Sequence, residues 1–191
     1  MRVSPVLISV GGLLLAVRLV YSEVSRIGVH QGYAPAQPID FPHRVHAGEN
    51  KIACLYCHSS ARTSRHAGIP SASVCMNCHA LLEKQTVEIE KLKESVQLGR
   101  PIAWVKVHNL PDYVAFNHSQ HVLSGVACQR CHGAIEEADR VAQVSPLTMG
   151  WCLDCHRENA HVPPSGMARV AERLDRRPQP AAGLDCASCH Y

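Results

Sequence analysis

Aromatic side chains are scarce in this chain. Phe, Tyr and Trp make up 5% of its 191 residues, with only two Phe and two Trp. That is thin for an ordinary hydrophobic core of this size. There is also no basic stripe with interleaved aromatics, and the formal charge is only +3, so no nucleic-acid partner is expected. Unassigned cysteine is absent too. All ten Cys fall in copies of one pattern, which leaves no thiol over for a disulfide framework.

That pattern is a pentapeptide present five times: Cys54-Leu-Tyr-Cys57-His58, Cys75-Met-Asn-Cys78-His79, Cys128-Gln-Arg-Cys131-His132, Cys152-Leu-Asp-Cys155-His156 and Cys186-Ala-Ser-Cys189-His190. Each is C-x-x-C-H, the attachment signature of a c-type haem. Two thiols add to the vinyl groups, and the His that follows is held under the iron as proximal ligand. C-x-x-C alone also suits zinc or a redox pair, but neither explains a His after the second Cys five times over. Five covalently bound haem c groups are therefore expected, and their porphyrins supply the missing apolar mass. With ten ionised propionates the reduced protein carries a net charge of about −7, not a positive one.

Beyond the proximal five, eight of the 13 His are spare: His30, His43, His46, His66, His108, His118, His121 and His161. Low-spin electron-transfer haems need a second axial ligand, usually His or Met. Phe41-Pro-His43-Arg-Val-His46 precedes Cys54, and Phe116-Asn-His118-Ser-Gln-His121 precedes Cys128. Both read F-x-H-x-x-H, and each is followed by two C-x-x-C-H copies, an internal duplication of a two-haem module. Residues three apart on a helical turn share a face at different heights, so the paired His can reach two irons. His43, His46, His118 and His121 are the expected distal ligands. His66, His108 and Met149 are each open between ligand and packing residue; Met149 stands just ahead of Cys152.

The run from Val3 to Tyr21 is apolar. Nineteen helical residues reach about 28 Å, close to a bilayer core of about 30 Å. Arg18 can snorkel and Tyr21 suits the interface. No small-residue cleavage site follows, so a retained single-pass anchor is expected, with the haem domain on the outer, periplasmic side. The division expected is an anchor over 1–22, a Pro-containing linker over 23–40 and a haem domain over 41–191. Within that domain lie modules 41–80 and 116–157, and a fifth haem at 186–190. A helix is expected over Leu81–Leu98, stopped by Gly99, and a last short helix around Met167, Val170 and Leu174. The fold class is a multihaem cytochrome c: mostly short α-helices and loops wrapped round five haems, with an N-terminal transmembrane helix.

F-x-H-x-x-H ahead of A-C-x-x-C-H resembles the cytochrome c3/c7 class. The resemblance implies that His43 serves the Cys54/Cys57 haem and His118 the Cys128/Cys131 haem, with His46 and His121 reaching other irons. Over nearly the whole chain, the stretches 66–79, 107–113 and 145–156 are similar to the pentahaem cytochrome c subunit of alternative complex III. That implies a membrane complex with an iron–sulfur and molybdopterin-like subunit, polytopic quinol-binding subunits and a monohaem cytochrome c. The chain would be its non-catalytic electron-transfer subunit, a wire from quinol oxidation to a downstream cytochrome c or oxidase. The alternatives are a self-contained anchored quinol dehydrogenase, or a haem enzyme of the nitrite or hydroxylamine class. The enzyme needs an iron with an open axial site beside acid–base groups.

Overall fold

The computed structural model describes residues 5–24, 27–83, 86–159 and 183–190. His161 and the helix expected around Met167, Val170 and Leu174 lie outside them. The chain divides into two units, residues up to His30 and residues from Gln31 onward. Among the described residues the helices are α1 (Pro5–Val24), α2 (Cys54–Cys57), α3 (Ala72–His79), α4 (Val87–Gln97), α5 (His118–Leu123), α6 (Gln129–His132) and α7 (Met149–Glu158). A π-helical turn covers Arg44–Glu49, and 3-10 turns cover Ser59–Arg62, Ile135–Glu137 and Cys186–Ser188. The expectation of short helices and loops is met.

Helix α1 occupies the apolar run. Leu13, Leu14, Leu15, Val17, Leu19 and Val20 are 57–65% exposed, so the helix is apolar on every face rather than along one stripe. Among the described residues, however, no helix is long and apolar enough to cross a membrane. The expected transmembrane helix is corrected to an apolar helix that carries Arg18 and runs on into Ser22 and Glu23.

The segment Gln31–Asp40, expected as a linker, is tied into the second unit. Gly32 N–H donates to the Gln143 carbonyl at 2.7 Å, and Gln143 N–H donates to Tyr33 at 3.0 Å. The Gln37 amide pairs with both backbone groups of Val105. Asp40 N–H donates to Glu88 at the start of α4. Helix α4 begins later than expected, because Thr86 caps it by accepting from Ile89 N–H. Leu81 and Leu82 therefore stand outside the helix and are exposed, while Leu92 on the helix is buried. Gly99 ends it at φ +60°, the left-handed stop expected of glycine.

The two modules hold each other by equivalent bonds. Arg44 N–H, next to His43, donates to Ala138 beyond α6 at 3.0 Å; Ser119 N–H, next to His118, donates to Ser64 beyond α2 at 3.2 Å. Ala138 lies as far past His132 as Ser64 lies past His58. Arg44 adds an ion pair to Asp139 at 2.9 Å, exposed and so worth little by itself. The fifth motif is fixed at the entrance to the second module, where Ala115 N–H donates to Cys189 at 2.8 Å and Val114 bridges His190.

The buried apolar side chains are only Ile39, Ala61 and Leu92 among the described residues.

The inter-module contact gives a stability test. A Cβ on Gly48 would overlap the Glu136 carbonyl, whereas one on Gly150 in α7 meets nothing. Gly48→Ala should cost about 1–3 kcal/mol through backbone displacement, and Gly150→Ala should be neutral or slightly stabilising. Denaturant unfolding of the matured protein, followed by far-ultraviolet circular dichroism, separates the two.

Candidate haem sites

Phe41 and Phe116 explain the repeated F-x-H-x-x-H. Each ring sits edge-on to the first His and along the face of the second. Phe41 is 5.0 Å from His43 at 85° and 4.1 Å from His46 at 25°. Phe116 is 4.8 Å from His118 at 84° and 4.6 Å from His121 at 32°. One aromatic ring thus splays two imidazoles in different directions.

Each of these four imidazoles faces a His from a C-x-x-C-H motif. His43 faces His58 with ring centres 6.4 Å apart, and His118 faces His132 at 6.4 Å. His46 faces His79 at 6.0 Å, and His121 faces His156 at 6.1 Å. A ring nitrogen lies about 2 Å from a metal it binds, so two imidazoles on opposite sides of one metal have centres about 6.3 Å apart. The four separations fit bis-imidazole ligation of a haem iron. All ten cysteines carry free thiols, as thioether attachment requires. The small buried apolar core points the same way.

The outer nitrogens agree with this fit. Nδ1 donates to a backbone carbonyl in His46 (Pro42, 3.0 Å), His58 (Gly68, 2.7 Å), His118 (Arg65, 2.8 Å), His121 (Asn117, 2.9 Å) and His156 (Gly183, 2.7 Å). Nε2 is left as the metal-facing nitrogen, and the ring's tautomer and angle are fixed. The Nδ1 atoms of His43 and His79 are buried without a protein partner. Burial, then neighbouring His58 and His46, lowers the His43 pKa to about 4. Burial, then His108 and His118, lowers His132 to about 4. Burial also lowers His79 and His121. These imidazoles are neutral at neutral pH, the form that binds metal.

The tentative residues are placed differently. His108 packs edge-on against His132, centres 4.4 Å apart, with its Nε2 3.1 Å from His132 Nδ1. His66 is exposed. Met149 opens α7 and is 60% exposed; the ring facing His156 belongs to His121. His190 is met by the Tyr113 ring at 5.8 Å, and its Nδ1 lies 3.4 Å from the Tyr113 carbonyl. The carbonyls of Arg65, Gly68 and Gly183 were not legible beforehand, since any residue type can offer one.

The thiols also give the order of the motifs in space. Burial raises the Cys57 and Cys75 pKa values, and thiols of the neighbouring motif add to the rise in both cases, Cys78 for Cys57 and Cys57 for Cys75. Cys128 is raised by burial and then by Cys54, with which it also shares a hydrogen bond. Cys131 is raised by burial, then by Cys155 and Cys152, and Cys152 by burial and then Cys189. These influences set the second motif near the first, the first near the third, the third near the fourth and the fourth near the fifth.

Residues 114–191 match the family model described as cytochrome c7 and related cytochrome c. Over 97 residues, half of this chain, the sequence is 36% identical to the multihaem cytochrome c subunit of menaquinone reductase from Nitratidesulfovibrio vulgaris. The aligned stretch spans 45% of that relative. Covalently bound haem c and an electron-transport role accord with both likenesses.

The facing rings lie 8° and 14° from parallel at the first and third motifs, and 50° apart at the second and fourth. Relative ring orientation governs the g-anisotropy of low-spin ferric haem. Electron paramagnetic resonance of the oxidised protein should therefore show two rhombic signals of near-parallel type and two of larger maximal g. Four equivalent signals would contradict the ring geometry.

Proposed function

We propose that the chain is an electron-transfer subunit of a quinone-linked membrane oxidoreductase, binding five covalent haem c groups in single file. The observation that carries this is the run of neighbouring motifs: Cys75 lies near Cys57, Cys54 near Cys128, Cys131 near Cys152 and Cys155, and Cys152 near Cys189. When bound, haem supplies one-electron exchange at its iron. The chain's own residues do the rest. Ten thiols fix the groups covalently. His43, His46, His118 and His121 fill the distal positions opposite His58, His79, His132 and His156, which denies those sites to a substrate. His190 holds the fifth. The second and fifth motifs stand at the two ends, where electrons enter or leave.

The quinone link is supported by likeness to a subunit of menaquinone reductase. The finer reading is a subunit of the alternative complex III kind. It would sit beside an iron–sulfur and molybdopterin-like subunit, polytopic quinol-binding subunits and a monohaem cytochrome c, with a downstream cytochrome c or oxidase as acceptor. Helix α1, apolar on all faces, attaches the chain to that assembly at the cell membrane, on the extracytoplasmic side where thioethers are formed.

The test compares the native complex, isolated in mild detergent, with the separated subunit. Added quinol should reduce this chain's haems fully in the complex and not in the separated subunit, which should still exchange electrons with a small cytochrome c. Steady turnover of quinol, nitrite or hydroxylamine by the separated subunit would replace the wire with an enzyme.

A further inference from the structure

The two modules match closely until the far side of their proximal rings. In the first module His58 Nδ1 donates to a backbone carbonyl, that of Gly68, at 2.7 Å. In the second module the equivalent His132 turns Nδ1 to a side chain, His108 Nε2, at 3.1 Å. His132 faces His118 with ring centres 6.4 Å apart. With Nε2 of His132 on a haem iron between them, its Nδ1 would carry the proton and donate it, and His108 Nε2 would accept. His108 would then be a neutral imidazole protonated on Nδ1.

The placement of His108 is built rather than incidental. The next residue, Asn109, donates its N–H to Gln143 Oε1 at 2.9 Å. Gln143 is 1% exposed and is itself held by backbone bonds to Gly32 and Tyr33. Upstream, Gln37 grips both backbone groups of Val105. The extended segment carrying His108 is thus fixed on both sides, and the His108 ring meets His132 edge-on at 75°.

We infer that His108 is a positioning residue for the third haem site, an imidazole acceptor that orients proximal His132 and raises its basicity. The inference rests on haem ligation by His132. An imidazole nitrogen is a stronger hydrogen-bond acceptor than an amide carbonyl, so His132 gains more imidazolate character than His58 does. Outer partners of a ligating His tune the metal in this way. A more basic axial ligand favours ferric over ferrous iron. The third site, next to the first in space, is therefore set to a lower potential than its counterpart. The duplicated modules thereby acquire a difference at the centre of the file.

The test uses the full, matured protein and two variants. His108→Leu keeps bulk and removes the acceptor; His108→Gln keeps a weaker amide acceptor. With five haems per chain retained, one of the five potentials should move upward, most in His108→Leu and less in His108→Gln. One of the two near-parallel ring signals in electron paramagnetic resonance should change in His108→Leu as the ring is freed. Unchanged potentials and an unchanged spectrum in His108→Leu would overturn the inference. A new high-spin, carbon monoxide-binding iron would also overturn it, by making His108 an axial ligand. If the Leu variant fails to mature, His108→Gln decides: an upward move of one potential supports the role, and a titration identical to the parent removes it. Loss of the His132 site itself would appear instead as four haems per chain.

Discussion

A fixed separation of two facing imidazoles, the one that a pair across a metal would have, is the dimension to which this chain is built. It recurs four times at 6.0–6.4 Å. In each case one partner is held by a C-x-x-C-H turn and the other by the F-x-H-x-x-H segment that precedes it. The local helices are too short to be stable alone; α2 and α6 are single turns, well under the length at which a helix persists in water. Their geometry comes from the rings they must present. A Phe between each pair of distal imidazoles sets the two directions, and backbone carbonyls lock the outer nitrogens. Because a carbonyl can only accept, each such bond also decides which nitrogen is left for metal.

The facing pairs lie within each module, and separate bonds interlock the two. Arg44 and Ser119, each next to the first His of its segment, make matching backbone bonds to the other module. Gly48 lets the Arg44–Glu49 turn close directly on the Glu136 carbonyl. The result brings Cys54 against Cys128 and joins two short runs of sites into one file. The fifth motif extends it through Cys152 and Cys189, anchored by Ala115 and Val114 rather than by a third copy of the module.

The duplication, the C-x-x-C-H motifs and the four His that the structure sets across from motif His were legible because each is written in residue type at fixed spacing. The partner of each distal His was less so. Likeness to the c3/c7 class named His43 with His58 and His118 with His132. The partners of His46 and His121 were left open, since spacing along the chain does not say which turn lies opposite. His108 was illegible for a different reason. An imidazole near an apolar stretch serves as ligand or as hydrogen-bond partner with the same residue type, and only the position of His132 Nδ1 separates them. The start of α4 was placed at Leu81, whereas the cap at Thr86 begins the helix after Leu82. The N-terminal run was read correctly as a helix, while its expected span of a bilayer is not met among the described residues.

Scarce aromatics and a nearly absent apolar core follow from one cause. Polypeptide burial of about 25 cal/mol per Å² cannot offset chain entropy when so few side chains are enclosed. Haem c groups bonded to the thiols and held between the facing rings, as proposed, would meet that deficit. Binding that occurs only in the folded arrangement adds directly to folding free energy. Stability and electron-carrying capacity would then depend on the same bonds. This also accounts for how little of the chain is regular: the backbone needs only to deliver thiols and imidazoles to set positions. Short turns braced by Gln37, Gln143 and the inter-module bonds do that without a continuous hydrophobic layer.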